Sequence, residues 1–410
     1  MSLAAAPSSE SEDPDSPAGP DNSVASDRLW TPAFTRLVIA QALFGFAYSV
    51  FLLLPKLLAV AYGAAAQQIG MVMAAFGVLS LAATPTVSPM VARLGRRGAM
   101  QASFALLAGS ALAFLLIRRA DGLAALLRGL QGVAWSLFFA AGMSLLAEAV
   151  PPGRLGHAIG LYGGASLAMN AIAPALAEPI AASFGPRAVF EVSALVAAAG
   201  GWFCRRIPAR ESEAVVIEQA AARPPSSGLV ARVLVVLGVG GLAAAGMFTF
   251  VAPFSLAHGI GVVRGFFVAY TGTALMIRLG GGRLTDWLGP QRTALIGGAG
   301  YGLVVTAMGL CGPRHLVVLG AAFGLAHGIL FPALMTLLLE GTGPSARPRL
   351  LALANGAINV GVVGLGILGG AAERRGYPAV FVATGAITFA SALLLAPRKP
   401  SRSRACASSI

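Results

Sequence analysis

Apolar runs of about 20 residues, the length a helix needs to cross a bilayer, recur from residue 34 to residue 396 with short polar breaks between them. They predict twelve helices, at 34–56, 67–87, 98–117, 123–147, 156–180, 188–206, 229–252, 262–282, 292–312, 315–339, 350–372 and 378–396. The polar stretch from Ile207 to Gly228 separates six from six; it holds Arg210, Glu211, Glu213, Glu218, Arg223, Pro224 and Pro225. The expected molecule is an all-α polytopic membrane protein. Its parts are a tail at 1–29, a six-helix bundle at 30–206, a cytoplasmic linker at 207–228, a second six-helix bundle at 229–397 and a tail at 398–410. The first tail is rich in Ser, Pro, Asp and Glu. It lacks the basic start and apolar core of a signal peptide, and reads as disordered.

The two sets of six repeat one another. Met143, Leu145, Leu146 and Glu148 return 192 residues later as Met335, Leu337, Leu338 and Glu340. Gly185, Ala188, Val189 and Phe190 return 191 later as Gly376, Ala379, Val380 and Phe381, and Gly95 returns 194 later as Gly289. Three matches in one order and at nearly one offset point to structural pseudo-repeats. In an apolar chain that pattern belongs to transporters.

Composition narrows the class. The chain is 57% hydrophobic and 11% charged, against about 25% charged in soluble domains, so lipid must cover it. A net charge of +13 raises nucleic acid as a partner. The arginines, however, fall singly and in pairs between apolar runs, as topology signals do, and no nucleic-acid partner is expected. With both tails cytoplasmic, the inner side carries 18 Lys and Arg and the outer side 8, while Arg36, Arg128 and Arg278 lie within helices. That count favours a multi-pass protein of the cytoplasmic (inner) membrane with both termini inside. Cys204, Cys311 and Cys406 share no ligand spacing, so neither metal nor cofactor is expected. Catalytic Ser/His/Asp or Cys/His groupings are lacking, and an enzyme is not expected.

Two motifs carry chemistry. Gly282-Arg283-Leu284-Thr285-Asp286 leads through Gly289 to Arg292 between helices 8 and 9; between helices 2 and 3 stands Ser88-Pro89-Met90-Val91-Ala92-Arg93-Leu94-Gly95-Arg96-Arg97. A tight two-helix turn needs glycine, here Gly95 and Gly289. In helix 4, Arg128-Gly129-Leu130-Gln131-Gly132 sets Arg128, Gln131 and Trp135 on one face. Together these resemble the major facilitator superfamily along residues 30–397, with the pattern of its bacterial drug and sugar efflux branches. The first loop has Ala92 where the family has an acid.

The resemblance implies two bundles rocking about a midplane cavity lined by helices 1, 4, 7 and 10. Arg128, Gln131, Trp135, Gln41, Tyr48, Phe248 and His327 are the cavity candidates. Arg128, His327, Glu178 and Glu191 are the candidates for proton coupling. Arg96, Arg97, Glu148, Arg278, Gly282, Asp286, Gly289, Arg292 and Glu340 form the expected inner gate, with Arg96 or Arg97 on Glu148 and Arg292 on Glu340. Plainer readings exist for each: a snorkelling arginine, a packed histidine, interfacial charges worth about 0–1 kcal/mol.

No G-x-x-x-x-G-K-[ST] occurs, so ATP drives nothing visible here. The expected function is proton-coupled export of a small organic molecule, such as a drug, secondary metabolite or siderophore, by a monomer. Import of a sugar or organic anion is the alternative. A non-transporting receptor or assembly factor is the reading from another class.

Overall fold

The structure is a computed structural model that describes residues 29–151, 154–208, 228–280, 287–340, 342–343 and 346–396. Among these the chain is helical, without strands. We number its spans α1 (Pro32–Tyr62), α2 (66–94), α3 (96–116), α4 (Gly122–Ala149), α5 (Leu155–Phe184), α6 (Pro186–Phe203), α7 (Gly228–Ala257), α8 (Arg264–Gly280), α9 (Pro290–Cys311), α10 (Leu316–Leu339), α11 (347–375) and α12 (377–392). Nine helices among the described residues satisfy length and hydropathy for crossing a membrane. Two of the nine, Ala66–Leu116 and Arg349–Leu395, are double length and break at Gly95 (φ 69, ψ 159) and Gly376 (φ 81, ψ 160). Dividing them there, and adding the 17-residue α8, which falls short of that length, gives twelve helical segments among the described residues.

Local signals start the helices. Thr31 caps α1, its hydroxyl accepting the Phe34 N–H at 3.2 Å with Pro32 in the first turn. Asp121 caps α4 through the Leu123 and Ala124 N–H groups at 3.1 and 3.4 Å. Helix α1 overruns its expected end at 56 and reaches Tyr62. It tightens into a 3₁₀ turn at Val50–Leu53, just ahead of Pro55. A proline ring presses on the carbonyl four residues back, here that of Phe51, and a tightened turn is where that pressure is absorbed.

The repeat is written in the backbone. Gly63 and Gly259, Gly95 and Gly289, and Gly185 and Gly376 all have positive φ, and each pair occupies equivalent places in the two halves. Close packing repeats as well. A Cβ on Gly132 of α4 would collide with the Phe76 carbonyl of α2, and one on Gly324 of α10 with the Tyr270 carbonyl of α8.

The halves meet through α2 with α11, α5 with α8, and the far segment of α1 with α7. Gly77 lets α2 approach α11 so closely that a Cβ would lie 2.8 Å from the Asn359 carbonyl. One apolar cluster joins Val50–Leu58, Ile69, Phe114 and Phe190 of the first half to the interior of the second. A second stays within the first half, around Phe34, Phe44, Phe104, Phe138 and Leu146, and a small third joins Ala66 to Ala372 and Val380 of the second half. The shared core therefore lies toward the face that bears Lys56. Among the described residues α4 and α10 are not extensively packed on one another.

Candidate functional site

Arg128 is 3% exposed and Gln131 fully buried. The Arg128 Nη1 donates to Gln131 Oε1 at 2.6 Å, one helical turn on. Three rings surround the guanidinium, with centroids 5.2 Å (Tyr48), 5.9 Å (Phe51) and 5.0 Å (Phe76) away. The approach of α2 at Gly132 brings Phe76 into that position. An arginine in hydrocarbon costs at least about 2.5–3.5 kcal/mol; ring contacts of about 0.5–2 kcal/mol each offset much of it. Trp135, half-buried, lies 4.8 Å from the Tyr48 ring. Gln41 is buried on the same helix as Tyr48, and its Oε1 has no hydrogen-bond partner.

The second half holds a different cluster. Phe248 of α7 meets Tyr270 and Phe323; His327 stacks on Phe331 at 4.3 Å, and its Nδ1 lies 3.3 Å from the Tyr301 hydroxyl. Arg128 and His327 are thus not brought together: the partners of one come from α1, α2 and α4, those of the other from α8, α9 and α10. At the positions equivalent to Arg128 and Gln131, the second half has Gly320 and Phe323.

At the Lys56 face the halves are tied by bonds. The Glu178 carboxylate, 6% exposed at the end of α5, accepts from Lys56 Nζ at 2.5 Å and from the Val263 and Arg264 N–H groups at 2.9 Å each. A carboxylate is well placed on the unpaired N–H groups of a helix start, in this case α8. Lys56 also donates to the Gly261 carbonyl. Glu191, one of the coupling candidates, is exposed on α6.

At the opposite face, Arg96 pairs with Glu148, and the backbone turns at Gly95 and Gly289 as the sequence led us to expect. That ion pair stays within the first half and does not itself bridge the two. Arg292 and Glu340 are both exposed and make no ion pair among the described residues. Arg97 is exposed beside the turn. Arg278 lies beside α5 of the other half: a Cβ on Gly163 would lie 3.4 Å from its Nη1. Gly282 and Asp286 lie outside the described residues.

Phe51, Phe76 and Tyr301 were not singled out from sequence, because an aromatic in an apolar run carries no sign of what it faces. Lys56 was counted only as a loop charge. Its signal was available: it is one of two lysines in the chain, the other being Lys399 in the tail.

No curated protein sequence matches the chain. Solved structures share its fold. The human organic anion transporter MFSD10 (TETRAN) aligns at TM-score 0.66 and 16% identity over 89% of this chain and 100% of its own. A bacterial homologue of the human lysosomal transporter Spinster, inward-facing and occupied, aligns at 0.70 and 15% over 89% and 97%. The nucleoside transporter NupG aligns at 0.67 and 13% over 89% and 98%. The sequence profile of the Major Facilitator Superfamily matches residues 37–315, more than half of the chain, and the chain belongs to that family.

Proposed function

We propose that the chain is a monomeric secondary transporter of the cytoplasmic membrane, with both termini inside, that exports a small organic molecule in exchange for protons. The observation that carries this reading is the Arg128–Gln131 pair, buried in an apolar span and caged by aromatic rings. A polar pair of that cost inside a membrane marks a transport path by default. The halves are bonded at the Lys56 face and share their apolar core there, which fits a carrier open toward the cytoplasm. Alternating access then requires the bonds from the Val263 and Arg264 N–H groups to Glu178, and from Lys56 to the Gly261 carbonyl, to break and contacts near the Arg96 and Gly289 turns to form. The gating role of Asp286 and Glu340 belongs to this proposal.

For the coupling group we favour Glu178 over His327. Glu178 joins the two halves, and a proton on it would remove the charge behind its bonds to Lys56, Val263 and Arg264. His327 is engaged by rings of its own half.

The test is accumulation. Cells expressing the chain should hold less of a true cargo than control cells, and an uncoupler should abolish the difference. Faster accumulation would support an importer instead. A flux no different from control across a broad panel would turn the reading toward a non-transporting protein.

A further inference from the structure

We infer that the cargo is an organic carboxylate with a flat apolar body, its carboxylate held by Arg128 and Gln131 and its body laid against Tyr48 and Trp135. The inference rests on the transport reading and names its substrate class.

Arg128 is a buried cation without an acid. The ion pairs among the described residues are Lys56–Glu178, Arg96–Glu148 and Arg119–Asp121, none of which involves it. The described acids near the spans, Glu148, Glu178, Glu191, Glu340 and Glu373, stand toward helix ends. Rings, the Tyr48 hydroxyl and one amide oxygen surround the charge, but they do not neutralise it. Two donors lack acceptors among the described residues, Arg128 Nε and Gln131 Nε2. A group with two acceptor oxygens and one negative charge answers both deficits, and the planar guanidinium fork fits a carboxylate.

The molecule supplies its own control. In the second half the same close helix pair forms at Gly324 and Tyr270, with Gly320 where the first half has Arg128. Packing of this helix pair therefore does not demand an arginine. Tyr48 and Trp135 are the half-exposed parts of the cage, with ring centroids 4.8 Å apart. They offer an aromatic surface beside the charge. A cationic drug would meet an uncompensated positive charge and no acid.

The experiment uses Trp135 as reporter, in the full chain carrying Trp30→Phe, Trp202→Phe and Trp287→Phe, reconstituted in phosphatidylcholine nanodiscs. The quenchers are para-nitrobenzoate, para-nitrobenzyl alcohol and para-nitrobenzylamine. The acid should quench saturably and bind on the order of tenfold more tightly than the alcohol, about 1.4 kcal/mol; the amine should bind most weakly. Arg128→Gln should erase the preference for the acid, and Arg128→Lys should keep part of it, which guards against a variant that merely misfolds. Equal binding of acid and alcohol, no saturable quenching by the acid, or an unchanged preference in Arg128→Gln would overturn the proposal. So would loss of acid binding in phosphatidylglycerol nanodiscs, because the site would then belong to a lipid headgroup. Binding is read without a gradient. Absence of nitrobenzoate flux with binding intact would instead count against the transport reading.

Discussion

Replacing Glu178 with Gln should unlatch the Lys56 face. The change keeps shape and one acceptor oxygen but removes the charge. Three bonds depend on that charge: Lys56 Nζ at 2.5 Å, and the Val263 and Arg264 N–H groups at 2.9 Å. The Lys56 pair lies within the first half, so the balance rests on the Val263 and Arg264 N–H bonds, which cross to the second half. Turning two hydrogen bonds to a charged group into bonds to a neutral one costs about 2–3 kcal/mol together. At about 1.4 kcal/mol per tenfold, the balance between closed and open at that face should shift on the order of 30- to 150-fold. Spin labels can read it. Leu116 and Leu310 occupy equivalent places at that face, each 72% exposed, and exposed Cys311 adjoins the second. A label on native Cys311 and one on Leu116→Cys, in a Cys406→Ser background with buried Cys204 left in place, report the separation of the halves. Double electron–electron resonance should show a longer-distance population in Glu178→Gln that the parent lacks. Identical distance distributions would refute the latch.

Other outcomes follow from the same geometry. His327→Gln should leave both downhill exchange and proton-driven flux within about twofold of the parent, because its ring packs within one half; loss of the driven flux alone would return the coupling role to His327. Gly324→Val should lower the thermal-unfolding midpoint in detergent, because the new side chain strikes the Tyr270 carbonyl and overpacking costs about 1–3 kcal/mol; an unchanged midpoint would contradict the packing. Asp121→Ala should destabilise by about 0.5–2 kcal/mol at neutral pH as a lost helix cap. The Arg119 guanidinium, with the Ala124 and Leu123 N–H groups, holds the Asp121 carboxyl below its usual range. Stability from a lowered carboxyl is present above the unfolded value, about 3.9, and fades as pH falls through the folded value. The midpoint difference between variant and parent should therefore shrink below about pH 4, and a constant difference down to about pH 3 would argue against it.

Much of the fold was legible because a bilayer constrains sequence severely. Apolar runs mark the spans, and glycine marks the turns at Gly95, Gly289 and Gly376, where φ is positive. Edges were less legible. Helix α1 runs past 56 and α5 past 180 to Phe184, since helices continue into the interface beyond the purely apolar stretch. Within the candidate site, Arg128 and Gln131 announced themselves by polarity and spacing. Their cage did not, because Phe51 and Phe76 come from other helices and any of the 21 phenylalanines could have filled it. Lys56 and Glu178 lie 122 residues apart; a pair that distant becomes visible only when α1, α5 and α8 are seen to converge.

The duplicated glycines have a consequence for how such a protein can change. The turns at Gly63 and Gly259, at Gly95 and Gly289, and at Gly185 and Gly376 are kept in duplicate, while the place of Arg128 is not, its twin being Gly320. On the function proposed above, the turns that frame movement are encoded twice and recognition once. New cargo preference can arise from a few substitutions around α4, with the matching machinery of motion untouched. The second copy, free of the cationic position, is spare ground on which a different selectivity can be tried.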